Sequence, residues 1–374
     1  MFKKGLLLVL TLIVFFTINI NTNYAQEETN SLTETIQKLM NGISISGQWF
    51  LGYQTGRKGG VTDNEFLLKR GYITFRKTFN KNLSARFTQD VSVDRDGDGE
   101  GDIEIRLKYG FLKYEFESAS FLTNPQIDFG LVSRPWIDFE QTINPYRVQG
   151  SMFLERYGIL SSADYGITFQ SLIGGELDDE YKKKVNKNFA GKYGSFSFGI
   201  YNGGGYHAIE KNENKLLEGR LTIRPLPELL TGFQLTYIGA IGKGNIESSP
   251  NHNLHSVFTS YETQLLSATA NIYKGRGFED GRNVDKDGIA PLNSGYSLFG
   301  NFNIPYIPFS LFARYDYFDS EISSNQITTE RKILGVAYNF LQGSKIIIDY
   351  DNVKRSNSLK PYDYILEAAI EIRY

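Results

Sequence analysis

Residues 308–318 read PFSLFARYDYF, and their order decides the fold. Phe309, Leu311, Ala313, Tyr315 and Tyr317 fall on one side of an extended chain. Ser310, Phe312, Arg314 and Asp316 fall on the other, because successive side chains of a strand point to opposite faces. The segment LSARFTQDVSV (83–93) repeats the pattern, with Leu83, Ala85, Phe87, Val91 and Val93 against Ser84, Arg86, Thr88, Asp90 and Ser92. So does YILEAAIEIRY (364–374), where Leu366, Ala368, Ile370, Ile372 and Tyr374 oppose Glu367, Ala369, Glu371 and Arg373. Strands with one charged and one continuous apolar face suit a barrel with lipid outside and water inside. A soluble sandwich or solenoid is the competing architecture, but these strands are too long and too charged for a sandwich core.

Outward from these three, the same period recurs to the end of the chain. About 16 segments are expected, an even number as in bacterial barrels. The first eight lie near 43–54, 65–78, 83–93, 103–117, 125–133, 164–173, 189–201 and 215–224. The others lie near 232–242, 253–262, 265–274, 294–304, 308–318, 330–340, 344–353 and 362–374. Short turns (79–82, 225–230, 304–308, 341–344) alternate with long connections (55–64, 94–102, 134–163, 202–214, 243–252, 275–293, 319–329, 354–361). With the N-terminus in the periplasm, the short turns are periplasmic and the long loops extracellular. One connection, 174–188, is too long for its periplasmic side. The fold class is therefore an all-β, transmembrane antiparallel β-barrel.

The chain opens with a different grammar. Residues 1–25 carry Lys3 and Lys4 before an apolar run from Leu6 to Phe16, then Ala25 as a cleavage point, which is the order of a secretory signal peptide. An uncleaved anchor is the alternative, against which the apolar run is short. Residues 26–42 form a periplasmic lead-in, with Leu32, Ile36, Leu39 and Met40 at helical spacing, and 43–374 form the barrel domain. The expected location is the outer membrane, with its lipid as the first partner.

Composition agrees. Of 374 residues, Tyr 24, Phe 27 and Gly 37 stand out, and the mean hydropathy of −0.31 excludes a helical membrane protein. The net charge of −2 gives no pull towards nucleic acid. Cys is 0 and His is 3, which removes thiol chemistry, disulfides and histidine-rich metal centres. No enzyme is expected: His255 and Ser256 are adjacent in a strand and so point apart, leaving no base beside its nucleophile.

Particular phrases add a family resemblance. RPWIDFEQTINPYRVQGSMFLERYGILSSADYGITF (134–169), FSFGIYNGGG (196–205), EGRLTIRPL (218–226) and LFARYDYFD (311–319) resemble the phosphate-selective porin O and P family. The likeness runs over essentially the whole mature chain, and its phrases are strand and loop grammar with no catalytic motif. It implies a trimeric channel of 16 strands with a constricting third external loop. The expected function is a passive outer-membrane diffusion channel for small hydrophilic, preferentially anionic, solutes, phosphate-like anions among them, working as a homotrimer. The alternative from another class is a structural or adhesive barrel closed by the 134–163 loop.

The candidate pore-lining residues follow from parity. Arg70, Arg76, Arg86, Arg106, Lys108, Arg220, Arg224, Arg314, Lys345 and Arg373 share the polar face, and Arg134 and Arg147 join them from the long loop. That loop, with Trp136, Glu140, Tyr146, Glu155 and Arg156, is the candidate constriction. Lumen carboxylates are Asp90, Glu104, Glu218, Asp316, Asp349, Asp351, Glu367 and Glu371. Two readings stand side by side. A ladder of arginines selects anions, or Arg–acid pairs such as Arg106–Glu104 and Arg314–Asp316 only brace the wall. No cofactor is expected beyond a structural calcium ion at 94–102, where Asp94, Asp96, Asp98 and Asp102 follow half of a calcium-loop pattern. Residues 283–288 (NVDKDG) repeat that half-pattern without closing it.

Overall fold

A computed structural model describes residues 41–95, 99–322, 325–341, 343–357 and 362–374. The leader, the helical spacing at 31–40, and Asp96 and Asp98 lie outside the described residues. The first eight strands are β1 (Ile43–Lys58), β2 (Val61–Thr78), β3 (Leu83–Val93), β4 (Ile103–Glu115), β5 (Leu122–Ser133), β6 (Ala163–Ile173), β7 (Gly194–Tyr201) and β8 (Leu216–Ile223). The second eight are β9 (Phe233–Lys243), β10 (Asn251–Glu262), β11 (Leu266–Arg276), β12 (Leu292–Asn303), β13 (Phe309–Ile322), β14 (Asn325–Asn339), β15 (Lys345–Arg355) and β16 (Tyr362–Arg373). Each strand pairs with its sequence neighbours, and β1 closes on β16 from Gln48–Arg373 to Arg57–Tyr364. Closure leaves no edge strand, which is what lets a sheet stand in lipid with its backbone groups paired.

The alternation predicted from sequence holds. On β13, Leu311 is exposed outward while Phe312, Arg314 and Asp316 are buried inward; on β16, Leu366 and Ile372 face out while Glu367 and Glu371 are buried. The outward face is an apolar band with aromatic residues at both borders, as lipid requires. Phe79, Phe302, Phe309 and Phe340 border the end that carries the C-terminus, and Tyr296, Tyr350 and Tyr364 border the opposite end. These are called the terminal end and the far end below.

Three expectations need correction. The connections at 55–64 and 319–329 are mostly strand: β1 and β2 leave only Gly59 and Gly60 between them, both at positive φ, and β13 runs to Ile322. Paired strands simply continue past the membrane where polar residues keep hydrogen bonding. On β4, Arg106 and Lys108 do not belong to one unbroken alternation. The register jumps from Thr88–Tyr109 to Gln89–Leu107, so Lys108 is the extra residue of a bulge, and Tyr109 and Phe111 turn inward after it. Finally, the inner face is not uniformly polar. Phe50, Tyr72, Ile238, Leu254, Phe258, Phe299, Phe312, Ile333 and Ile347 are all buried at inward positions. Apolar groups facing a lumen need an apolar cover, and the long loop supplies it.

Candidate functional site

The connection 134–162 folds back inside the barrel, and it carries structure of its own. Helix α1 (Pro135–Ile143) begins with proline at its first turn, where the missing N–H costs nothing, and Asp138 sits near its positive end. It stops at Asn144 because the following Pro145 disfavours helical geometry in the residue before it. The Asn144 side chain then accepts the Tyr146 N–H at 3.0 Å and starts the turn at the loop tip. A single turn, α2 (Phe153–Arg156), follows, and Gly158 at φ 73° lets the chain leave it.

Trp136, Ile137, Phe139, Met152, Phe153 and Leu154 build a core inside the lumen. Trp136 meets Phe258 edge-on at 4.8 Å, and Tyr157 stacks on Phe318 at 4.4 Å. At the opposite wall Tyr146 stacks on Phe312 at 4.0 Å and donates its hydroxyl to Asn301 at 2.6 Å. The loop thus spans the lumen from wall to wall.

Cations clamp it there. Arg134, fully buried, donates to Glu218 at 2.7 Å and pairs with Glu279. Those carboxylates also receive loop N–H groups, Trp136 to Glu218 at 3.1 Å and Ser161 to Glu279 at 2.5 Å. Burial pushes the Glu279 carboxyl up to about 7 against the pull of Arg134. Arg220 donates to the Pro135 carbonyl at 3.0 Å and lies between the rings of Phe139 and Phe189. Arg314 bridges Asp316 (2.8 Å) and the Ser151 carbonyl (2.9 Å). Lys345 reaches the Pro145 carbonyl at 2.9 Å, and Lys69, which parity did not single out, reaches that of Gln149 at 3.2 Å. Lys108 donates to Ser162 at 3.0 Å within a ring of Tyr72, Tyr109 and Tyr206. Arg147 makes a two-point pair with Glu155 (2.8 and 3.2 Å) inside the loop.

The connection that was too long for its side is a second inward element. Residues 174–193 enter from the terminal end. Helix α3 (Asp179–Lys184) is capped by Asp178, which accepts the Tyr181 N–H at 2.7 Å, and Leu177, Tyr181 and Ala190 form a small core. Asn186 donates to the Thr142 carbonyl (3.1 Å) and to Glu262 (3.0 Å), while Phe189 meets Phe139 edge-on at 5.4 Å. Arg224 lies over the Tyr181 ring. Two segments from opposite ends therefore meet inside the barrel.

The remaining wall cations differ. Arg70 pairs with Asp90 at 2.8 Å. Arg106 pairs with Glu104 and contacts His207 Nδ1 at 3.0 Å; burial and Arg106 push that imidazole down to about 4, so it stays neutral. Arg76 and Arg86 face each other across β2 and β3. Among the described residues, neither has a carboxylate within ion-pair distance. Arg86 and Lys113 line a polar cavity of about 590 Å³ on the terminal side of the loop, opposite Asp138 and Lys187. A smaller cavity of about 190 Å³ lies on the far side, between Gln149 and the wall carboxylates. At 94–102 the Asp94 N–H donates to the Asp102 carbonyl at 2.8 Å, closing the loop's ends together. His255 and Ser256 point apart as expected, His255 outward to the Tyr237 hydroxyl and Ser256 inward to Asn271.

No protein-family model and no curated protein matches the chain. Solved structures share its fold. The anion-selective porin from Comamonas acidovorans superposes with a TM-score of 0.63 at 10% identity, covering 89% of this chain and 99% of that one. OmpF of Salmonella typhi gives 0.61 at 12% identity, over 89% and 97%. The trimer form of OmpT, an outer membrane protein of Vibrio cholerae, gives 0.57 at 12% identity, over 89% and 99%. The shared feature is the fold, a closed antiparallel barrel.

Proposed function

We propose that this protein is a porin-type outer-membrane channel through which small hydrophilic solutes, anions preferentially, pass beside the inward loop. The observation that carries the reading is the pair of polar cavities, one on each side of residues 134–162, inside a closed barrel with an apolar exterior. Arg76, Arg86 and Lys113 on one stretch of wall support the anion preference: among the described residues none of them makes a direct ion pair, although Glu115, Asp138 and Glu176 share the cavity with Arg86 and Lys113, and such cations attract counter-ions into a narrow aqueous space. The sequence resemblance to the phosphate-selective porins O and P supports phosphate-like anions as solutes. Export through a cleaved leader at 1–25, a lead-in at 26–42 and assembly as a homotrimer belong to the same proposal. So does calcium held by Asp94, Asp96, Asp98 and Asp102; chelation should then raise protease cleavage at 94–102, and equal cleavage with and without chelator removes the ion. The primary test is single-channel recording in planar bilayers. Discrete conductance steps with an anion-biased reversal potential in a salt gradient are expected.

A second reading has its own observation. The loop core reaches wall residues from Phe50 to Ile347, which favours a barrel closed in its resting state. Silence of the intact protein, with conductance appearing only after residues 145–152 are shortened, would select the closed barrel.

A further inference from the structure

Above the loop tip, on the far side, three carboxylates sit close on neighbouring strands. Asp349 of β15 stands directly opposite Glu367 of β16, and Asp351 is one inward position further out. Two of them are engaged. Glu367 is held by Lys69 and Gln54, and Asp351 by Gln149 at 3.3 Å and Arg331 at 3.4 Å. Asp349 is not. It is 2% exposed, and among the described residues neither of its oxygens receives a hydrogen bond of good geometry, with only Lys69 and Gln149 close enough to favour its charge. Lys69 lies near it but gives its bonds to Glu367 and the Gln149 carbonyl. Of the two amides at hand, Gln54 goes to Glu367 and Gln149 to Asp351.

A buried carboxylate without donors, beside a second carboxylate, is costly to keep, and native proteins satisfy such groups. Asp349 lines the cavity of about 190 Å³ with Asp351, Asp363 and Glu367, and the cations Arg57, Lys58, Arg331 and Arg355 line it too. The cavity holds a group of a few heavy atoms. Among the described residues no three carboxylates or imidazoles converge as a metal ion requires. An ammonium group needs less. Its donors are three, they rotate freely, and one carboxylate with a neighbouring acceptor satisfies them.

We propose that Asp349 is the anchoring carboxylate of a subsite for the primary ammonium group of a small solute, with Asp351 as its neighbour. This subsite is separate from the arginine wall on the terminal side, and its occupation does not depend on conduction.

The test is calorimetric titration of propylammonium chloride into the folded, detergent-solubilised protein at pH 7, with sodium chloride as the matched control. Saturable one-to-one binding is expected for the wild type, weakened at least tenfold in Asp349→Asn. Glu321→Gln, an exposed carboxylate outside this cavity, should leave it unchanged. Heat-modified gel mobility checks that each variant is folded. No saturable heat with the wild type, or equal binding by Asp349→Asn, overturns the proposal. Sodium competing as well as propylammonium overturns the ammonium assignment. Each of these outcomes leaves the channel reading where bilayer recording puts it.

Discussion

Arg134 and Arg86 both point into the lumen, yet opposite surroundings hold them. Arg134 sits fully buried between two carboxylates, which loop N–H groups also reach. Arg86 lies over the Tyr109 ring, donates one hydrogen bond to the Thr88 hydroxyl on its own strand face, and borders a polar cavity. The first is a fastener; the second has no carboxylate within ion-pair distance among the described residues and faces open space. Arginine at lumen parity is therefore no sign of a conduction track by itself; what neutralises it decides.

The sharpest way to break this comparison is to remove the fastener. Arg134→Ala leaves Glu218 and Glu279 buried without their cation, and breaking a buried pair in this way costs about 3–5 kcal/mol. The midpoint of heat-induced mobility change on gels should fall steeply. Converting Glu218 and Glu279 to Gln in the same chain should recover part of the loss, because the stranded charges are gone. A midpoint unchanged by Arg134→Ala would mean that the loop is held by its apolar core alone.

Acidity offers the next largest effect. Burial pushes the Glu140 carboxyl up to about 8, so the folded protein keeps it protonated where the unfolded chain does not. Between its ordinary value near 4.3 and about 8, the unfolded state binds fewer protons, so stability must fall as pH rises and level off beyond. Glu140→Gln should flatten the profile and raise the midpoint at pH 8. Gel midpoints at pH 5, 7 and 9 for both proteins check the sign; parallel profiles would reject it.

Lys108 stands between the two arginine types. It is buried and lacks a carboxylate within ion-pair distance among the described residues, but three tyrosine rings and Ser162 surround it. Lys108→Met keeps the stem and removes the charge. The expected loss is about 1–2 kcal/mol, read as a smaller midpoint shift than that of Arg134→Ala with no change in ion preference.

How far these differences were legible from sequence follows from range. Strand parity is local, so PFSLFARYDYF and YILEAAIEIRY displayed their inner and outer faces without any tertiary information. Turn-rich segments were legible as breaks but not in length, since Gly59–Gly60 closes a hairpin inside what looked like a ten-residue loop. The bulge at Lys108 depends on how β4 meets β3, which a single strand does not encode. The inward loop left a trace that parity reading passed over: Ile238, Leu254, Phe258, Phe312 and Ile347 are apolar at lumen positions. That combination already called for a cover of the kind WIDFEQTI and MFLERYGIL provide. The partners of Arg134 and Arg220 were beyond reach, because Glu279 and Phe189 arrive from other connections.

The smallest effect bears most directly on function. Arg76 and Arg86 are directly opposed like charges on β2 and β3, a pairing that costs folding free energy. A wall built only for rigidity gains nothing from it. If both serve passing anions, changing them to Gln should leave stability within about 0.5 kcal/mol, or raise it slightly, as expected for positions outside a buried network. The ion preference should move instead. Screening limits each charge to a reach of about 8–10 Å at physiological salt, so only charges beside the passage count, and their influence must grow as salt is lowered. A two- to three-fold fall in anion-to-cation permeability, roughly 0.5 kcal/mol, is the expected result in a salt gradient, larger at 0.01 M than at 1 M. Arg134 has no such signature, since its charge is cancelled within the pocket. A double variant that loses thermal stability and keeps its reversal potential would turn Arg76 and Arg86 into braces like the rest, and the anion preference would need another source.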